Sequence, residues 1–302
     1  MSFTPKPLVE KLPLAVRKDV RDKFDGNKAD FEEQISKLLG ISKFTLAYNP
    51  NLLAAYVKDL DRTSLGNMMN EYSKGFIYLL KHFIDSYGED GKAHFNAAVS
   101  KAELTVNVNE VGDSAPTIAG DVQDGVFRLL FHPARVGYDI TSQEEVILPA
   151  IEAAATGGFA LEVKNSIKKF YSPGIDAVRT EIEELTGISG VILDPNFEEN
   201  YEALSSLPKA KWHFNFGKVH FEYFDGLKSQ LLKQGFKKDE MLQEGLQEAL
   251  PSKTFKIRVV EQTTNDKTNQ IVIENGVAYL QTTKRFWWYN ADDMGEGLVN
   301  LL

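Results

Sequence analysis

Apolar residues recur at helical spacing near the start of the chain and again near its middle. The first stretch contains Ala29, Phe31, Ile35, Leu38 and Leu39, and the second contains Ile175, Val178, Ile182 and Leu185. Gly40 and Gly187 follow these stretches, and glycine readily takes the left-handed conformation that ends a helix. The pattern therefore predicts one helix in each region, and each helix ends at its glycine.

A longer apolar stripe predicts a central helix over Thr63–Tyr87, followed by a shorter helix over Asp90–Val99. The aromatic run WHFNFGKVHFEYF, which begins at Trp212, could instead form a β-hairpin that turns at Gly217. Its counterpart earlier in the chain, NMMNEYSKG, lacks strand alternation. Two copies of one unit should share their element types, so we predict a helix over Trp212–Gln234.

Alternation of apolar and polar residues replaces the helical pattern in AELTVNVNEV and again in TFKIRVVEQ. Asn275-Gly276 and Asp124-Gly125 are typical of tight hairpin turns. Each half of the chain is therefore predicted to end in a small antiparallel three-stranded meander. Helices segregated from such a sheet indicate the α+β class.

Four collinear matches, offset by about 150 residues, indicate that the chain is a tandem duplication. LLGISKFTLAYNP corresponds to LTGISGVILDP, LGNMMNEYSKGF to FGKVHFEYFDGL, and DGVFRLLF to NGVAYLQT. A weaker match sets Leu14, Val16 and Val20 on Leu161, Val163 and Ile167. We predict a first unit over 1–140, a connecting helix and joint over 141–158, and a second unit over 159–302, with four to five helices in each unit.

The bulk composition is that of a globular protein and narrows the possible partners. The chain of 302 residues is 43% hydrophobic and 25% charged, with a formal net charge of −9. This charge disfavours a nucleic-acid partner. No apolar run approaches the roughly 18 to 20 residues of a membrane span, so membrane insertion is not expected. The N-terminus lacks the features of a secretory signal, and we predict a cytoplasmic location.

Sequence motifs for common enzyme chemistries are absent. The chain has no cysteine, which excludes disulfides and thiol nucleophiles. HExxH, GxSxG, GxxxxGK[ST] and GxGxxG do not occur, so no cofactor is predicted. The acidic run Asp121–Gly125 resembles part of a calcium loop, but its glycine comes one residue early, and we interpret it as a hairpin turn.

Two histidines are the strongest candidates for metal ligands. His213 and His220 are seven residues apart, which on one helix places them about 10 Å apart from the 1.5 Å rise per residue. That separation is too long for both to ligate one ion. We therefore predict no metal site, and interpret both as hydrogen-bonded core or boundary residues.

A glutamate and tyrosine pair occurs in both copies and could support acid–base chemistry. The pairs are Glu71 with Tyr72 and Glu222 with Tyr223. With the two histidines they form the candidate catalytic set, namely Glu222, His220, His213, Tyr223, Glu71 and Tyr72. The alternative is that each glutamate is an exposed helix residue or a structural hydrogen-bond acceptor.

Aromatic residues near the C-terminus distinguish the second copy from the first. RFWWYN stands where the first copy has ARVGYD. We take Trp287, Trp288, Phe286, Tyr289 and Trp212 as candidate ligand-binding residues. Packing between the two units is the alternative role for these rings.

The absence of catalytic motifs and the local enrichment in aromatic residues favour recognition over chemistry. The leading hypothesis is a soluble binding protein without a cofactor that recognises a small apolar or aromatic molecule, or a protein partner, at the joint between its units. A hydrolase or lyase with a Glu/His/Tyr site is the first alternative, and a structural or storage protein is the second.

Overall fold

The computed structural model describes residues 3–60, 63–138, 141, 145–155, 157–208 and 212–302. The chain divides into two compact units, Met1–Leu161 and Glu162–Leu302. Each unit combines helices with a four-stranded sheet, which confirms the α+β class. No helix in the described ranges is both long and apolar enough to cross a bilayer.

The helices of the first unit follow the predicted pattern. They are α1 (Leu14–Val20), α2 (Gly26–Leu39), α3 (Pro50–Tyr56), α4 (Leu65–Ala98) and α5 (Ile147–Ala154), and a π-helical turn, Arg21–Asp25, joins α1 to α2. Gly40 ends α2 at φ 67°, and Gly88 at φ 56° interrupts α4. The two helices predicted over Thr63–Tyr87 and Asp90–Val99 are thus confirmed. The predicted joint over 141–158 contains α5, but 142–144 and 156 lie outside the described residues.

The second unit has the same order of helices up to its sheet. These are α6 (Leu161–Ser166), α7 (Ile175–Thr186), α8 (Phe197–Leu204), α9 (Phe216–Lys233) and α10 (Glu240–Ala249), and a π-helical turn, Ile167–Tyr171, follows α6. The aromatic run is a helix rather than a hairpin, as predicted, and a 3₁₀ turn over His213–Asn215 precedes it. Gly187 ends α7 at φ 66°.

Each sheet has four strands with the same topology. The strands are β1 (Thr45–Leu46), β2 (Glu103–Val108), β3 (Ile118–Gln123), β4 (Val126–Phe131), β5 (Ile192–Asp194), β6 (Thr254–Val260), β7 (Asn269–Glu274) and β8 (Val277–Thr283). Their spatial orders are β1-β2-β4-β3 and β5-β6-β8-β7. The hairpins β3–β4 and β7–β8 are antiparallel, as the Asp-Gly and Asn-Gly turns predict.

The predicted three-stranded antiparallel meander is wrong in both units. The last strand of each hairpin lies in the middle of the sheet and runs parallel to the strand before the hairpin, with Val106 opposite Leu129 and Ile257 opposite Leu280. A short strand from far upstream adds a fourth, parallel member. The helices between β1 and β2 supply the long crossover that a parallel pair requires.

Alternation along the central strands directs one sheet face into each core. In the first unit Phe127, Leu129 and Phe131 are fully buried, and the ring of Phe127 lies 5.4 Å from that of Phe76 on α4. The long helix and the sheet therefore enclose the apolar centre of this unit.

A buried tyrosine on the long helix of each unit contacts the chain beyond its last strand. Tyr72 Oη accepts a hydrogen bond from the backbone N–H of Gly137 at 2.8 Å. Tyr223 Oη accepts one from the N–H of Trp288 at 2.7 Å. Both donors have left-handed backbones, with φ 77° at Gly137 and 72° at Trp288.

A glycine near the start of each long helix packs against the helix that enters the π turn. Gly66 N donates to Asp19 Oδ2 at 2.9 Å, and Gly217 N donates to Ser166 Oγ at 3.0 Å. A Cβ on either glycine would lie 2.5 Å from a backbone oxygen of that neighbour, of Asp19 or of Ser166 respectively. Close approach of two helices therefore explains both helical glycines.

Candidate functional site

The chain after β8 runs along α9 and is held there by a tyrosine and a glycine. We call residues 288–299 the C-terminal strap. Tyr223 Oη accepts from Trp288 N at its start. One helical turn further on, Gly226 lies directly beneath the carbonyl group of Ala291, where a Cβ would overlap that oxygen.

Gln230 on α9 and Gln234, the residue that follows its last turn, hold the rest of the strap. Gln230 Nε2 donates to the carbonyl of Asp292 at 2.7 Å, and Gln234 Nε2 donates to that of Gly295 at 3.0 Å. Gln234 Oε1 also accepts from Val299 N at 3.2 Å. Positions 223, 226, 230 and 234 form one stripe of a helix, so α9 fixes the course of the strap.

A cavity of about 670 Å³ opens between α9, the strap and the π turn of the second unit. We call it the α9 groove. Three aromatic side chains line it, namely Phe170, Phe221 and Trp288. Phe170 and Trp288 are each 38% exposed, so both rings present part of their surface to the groove. The volume lies within the range of small-molecule sites.

Trp288 is the most constrained residue of the groove. Its φ of 72° is left-handed, a conformation that costs a bulky L-residue roughly 1 to 2 kcal/mol. Its indole Nε1 donates a hydrogen bond to Glu222 Oε2. The Lys218 ammonium lies 5.2 Å from the centroid of the indole ring. Contacts with Glu222 and Lys218 on α9 thus hold the indole ring at the edge of the groove, while the backbone of Trp288 is strained.

The polar lining of the groove is predominantly acidic. Lys218 is its one cation among the described residues, against the carboxylates of Glu222, Asp225 and Asp292. Lys218 lies 3.7 Å from Glu222, and Asp225 pairs with Lys228 at 2.6 Å. The Asp292 carboxylate forms no hydrogen bond or ion pair with any other described residue. The lining therefore carries an excess of negative charge.

The corresponding positions of the first unit have different chemistry. The sequence matches set Phe170 on Lys23, Phe221 on Asn70, and Trp288 on Gly137. Lys23 pairs with Asp19 at 2.9 Å, and Asn70 Nδ2 donates to the carbonyl of Lys23 at 3.0 Å. Two polar side chains and a glycine in the first unit thus correspond to three aromatic rings in the second.

Glu71 and Glu222 also differ in their surroundings. Glu71 is exposed on α4 and pairs with Lys74 at 2.8 Å. Glu222 instead accepts from the Trp288 indole in the groove. The structure therefore joins two of the predicted site residues, Glu222 and Trp288, and places Glu71 in an ordinary surface ion pair.

His220 lies in the core of the second unit rather than in the groove. It is fully buried, with Nδ1 2.7 Å from the carbonyl of Phe216 and Nε2 3.3 Å from Asn200 Nδ2. Asn200 also donates to the carbonyl of Ile257 and accepts from Val259 N. The Phe216 carbonyl can only accept, so the ring proton is on Nδ1 and Nε2 is an acceptor. This neutral imidazole and Asn200 together link α8, α9 and β6.

Burial lowers the pKa of His220 to about 4, although its bond to the Phe216 carbonyl acts in the opposite direction. The unfolded imidazole titrates near 6.5. The contribution of the neutral ring to stability is therefore complete above pH 6.5 and is lost as the pH falls from 6.5 towards 4. At pH 5 the loss should be about 2 kcal/mol in the free energy of unfolding.

Urea unfolding of the wild type and of His220→Gln at pH 7 and pH 5 tests this prediction. The other four histidines and all carboxylates remain in both proteins, so the difference in pH dependence isolates His220. The wild type should lose about 2 kcal/mol more than the variant over this interval. Equal losses would show that His220 does not titrate as a buried neutral ring.

His213 is also buried, but it belongs to a separate cluster. Its Nδ1 lies 3.5 Å from Glu162 Oε2, and its ring packs against Trp212 and Tyr201. Within the described residues, no group of three or more His, Cys, Asp or Glu side chains is arranged to hold a metal ion.

The remaining predicted ligand-binding residues divide between the core and the surface. Trp212 and Trp287 are buried, and Trp287 packs on Phe216, His220 and Tyr223. Phe286 is half-buried, and Tyr289 is exposed. Neither lines the α9 groove.

The candidate catalytic residues of α9 point to different places. Glu222 lines the groove, His220 lies in the core, and Tyr223 is buried with its hydroxyl bonded to the strap. Tyr72 has the equivalent role in the first unit, and burial raises the pKa of both phenols.

Phe170, Phe221 and Asp292 were not among the predicted site residues. The differences between Lys23 and Phe170, and between Asn70 and Phe221, are visible when the matched segments of the two units are aligned. In both pairs a polar residue of the first unit corresponds to a large ring in the second. That signal, applied to every aligned position rather than to the tryptophans alone, would have found the two phenylalanines.

A cavity of about 600 Å³ in the first unit has a different character. It lies against the polar face of the sheet, where the Arg128 guanidinium forms a two-pronged ion pair with Asp121. This pairing satisfies the cation within the protein. No aromatic side chain lines the cavity among the described residues.

Comparison of the chain with protein-family models, curated proteins and solved structures found no match. The site is therefore interpreted from its own geometry. The fold and the groove together define a two-unit α+β protein with an open, aromatic and acidic cavity on its second unit.

Proposed function

We propose that this chain is a small-molecule binding protein that arose by tandem duplication, and that the α9 groove of the second unit is its ligand site. The groove is lined by Phe170, Phe221 and Trp288 and has the volume of a ligand cavity. A planar aromatic molecule would bury its faces against these rings and replace their contact with water.

The single observation that carries the proposal is the backbone of Trp288. Its counterpart, Gly137, has nearly the same left-handed φ, where glycine is unstrained. The second unit keeps this conformation but places a tryptophan in it. A strained residue at the edge of a cavity is typical of a binding site, where the benefit of its position is functional.

The shared architecture supports the duplication. Both units have the same strand order, a π-helical turn at corresponding positions, and a tyrosine hydroxyl that binds the backbone after the last strand. Duplication allows one copy to keep the fold while the other acquires new side chains at the same positions. The three rings of the groove fit this division.

Titration with small aromatic probes tests the ligand site. In ¹⁵N-labelled protein, each of the three tryptophans gives an indole N–H resonance. Benzamide, benzamidinium and benzoate are added separately, up to about 10 mM, which detects even millimolar affinity. At least one probe should shift the Trp288 resonance in a saturable way. The resonance of buried Trp212 is the internal control.

No saturable shift of the Trp288 resonance by any of the three probes would contradict the proposed function. Equal shifts of Trp288 and Trp212 would do so as well, because they would indicate a general effect on the unit rather than binding in the groove.

A further inference from the structure

We propose that the ligand of the α9 groove is a small organic cation, a protonated amine or amidine attached to a planar apolar group. This inference rests on the proposed function and adds the charge of the ligand. Aromatic rings lined by carboxylates form the type of site that recognises such cations, because ring faces and carboxylates both attract positive charge.

A positively charged group of the protein, the Lys218 ammonium, already lies next to the ring and a carboxylate of the groove. The ammonium of Lys218 lies over the Trp288 ring, 5.2 Å from its centroid, and 3.7 Å from the Glu222 carboxylate. The side chain of Lys218 is 41% exposed, so water competes for its charge and it can swing away. The space between this ring and this carboxylate therefore suits a positive group.

The carboxylates are not all neutralised within the protein. Asp225 is paired with Lys228 at 2.6 Å. Glu222 is shared between Lys218 and the Trp288 indole. Asp292 is in contact with no cation among the described residues. A ligand cation would complete the charge balance of the groove, whereas an anionic ligand would be repelled.

The relative affinities of three matched probes test the charge of the ligand. Benzamidinium, benzamide and benzoate have the same ring and differ in charge. Benzamidinium should bind at least about tenfold more tightly than benzamide, because a charged hydrogen bond and a cation–π contact are added. Benzoate should be the weakest of the three.

Variants of two groove residues test whether the preference for benzamidinium over benzamide arises in the α9 groove. Glu222→Gln keeps an oxygen that can accept from the Trp288 indole but loses the charge, so the ratio of benzamidinium to benzamide affinity should fall about tenfold. Lys218→Met removes the competing cation, and benzamidinium affinity should rise about threefold. Glu71→Gln, the same change at the corresponding position of the first unit, is the matched control and should leave the ratio unchanged.

The possible outcomes separate this inference from the proposed function. Benzamide or benzoate binding at Trp288 as tightly as benzamidinium would overturn the cationic ligand and leave the aromatic ligand site in place. A ratio that is unchanged in Glu222→Gln would overturn it as well. No binding at Trp288 by any probe would overturn both. An arginine-containing hexapeptide that binds about a hundredfold more tightly than benzamidinium would identify a protein partner and overturn the small molecule.

Discussion

Gly226→Ala should destabilise the second unit by about 3 kcal/mol, although alanine is the best helix former. Gly226 is in the middle of α9, and a Cβ there would overlap the carbonyl oxygen of Ala291 and lie 2.9 Å from its carbon. Both obstacles are backbone atoms, so no side-chain rotation relieves the overlap. The strap has to move away from the helix.

The displacement would extend beyond the site of the substitution. The strap is bonded to α9 on both sides of Gly226, at Tyr223 and at Gln230. Moving Ala291 stretches these bonds and leaves a buried hydroxyl and amide with weaker partners. The end of the strap that carries Trp288 would also shift. The α9 groove should therefore change shape when the second unit is destabilised.

Gly245→Ala is the matched control for this substitution. Gly245 is also inside a helix, α10, but a Cβ there would meet only the Leu302 side chain, at 3.5 Å. This distance is an ordinary contact, so the higher helix propensity of alanine should stabilise the protein by up to about 1 kcal/mol. Urea denaturation of both variants measures the two changes. If Gly226→Ala is as stable as Gly245→Ala, the strap is not packed on α9 in the way described.

The helices and hairpins could be predicted from the sequence because their signals are local. Helix ends at Gly40 and Gly187 and the hairpin turns at Asn275 and Asp124 depend on backbone conformations that few residues adopt readily. The aromatic run over Trp212–Gln234 needed one further step, since its alternation also fits a hairpin. Comparison with the matched segment of the first unit decided correctly for a helix.

The directions of the strands could not be predicted in the same way. Alternation specifies which side chains face the core, and it is the same for parallel and antiparallel neighbours. The insertion of β4 between β2 and β3 is determined by contacts that are distant in sequence. The strands β1 and β5 are only two and three residues long, so no periodic pattern indicates which strand each of them pairs with.

The candidate site could also be predicted only in part. Trp288 was identified because the aligned residue of the first unit, Gly137, has no side chain. Trp212 and Trp287 were also predicted to bind ligand, but both are buried in the core of the second unit. Composition cannot distinguish an aromatic side chain that fills a core from one that lines a cavity. The course of the strap along α9 makes that distinction, and it depends on Gly226 and two glutamines that carry no signal of function in the sequence.

Trp288→Gly should abolish most binding of aromatic probes while leaving the fold intact. The substitution installs the residue that the first unit has at the corresponding position, Gly137, where φ is also left-handed. It removes the ring that forms one wall of the α9 groove, and probe affinity should fall at least about tenfold. The N–H that donates to Tyr223 belongs to the backbone and is retained.

The stability of this variant should fall by about 1 to 2 kcal/mol, because relief of strain offsets only part of the packing that is lost. Relief of the left-handed strain is worth roughly 1 to 2 kcal/mol. The greater freedom of glycine in the unfolded chain costs about 0.5 to 1 kcal/mol. The buried part of the Trp288 ring, which is 38% exposed, contributes roughly 2 to 3 kcal/mol. Loss of probe affinity in a variant that stays folded at the assay temperature separates a binding residue from a structural one.

Tyr289→Ser is the control for the removal of an exposed ring next to the groove. Tyr289 is adjacent to Trp288 and 61% exposed, but it is not part of the groove lining. Probe affinity should be unchanged in this variant and reduced in Trp288→Gly, as measured by the shifts of backbone amides on α9 that report on Phe221. Equal affinity in both variants would show that the tryptophan ring does not contact the ligand, and the strain at Trp288 would then need another explanation.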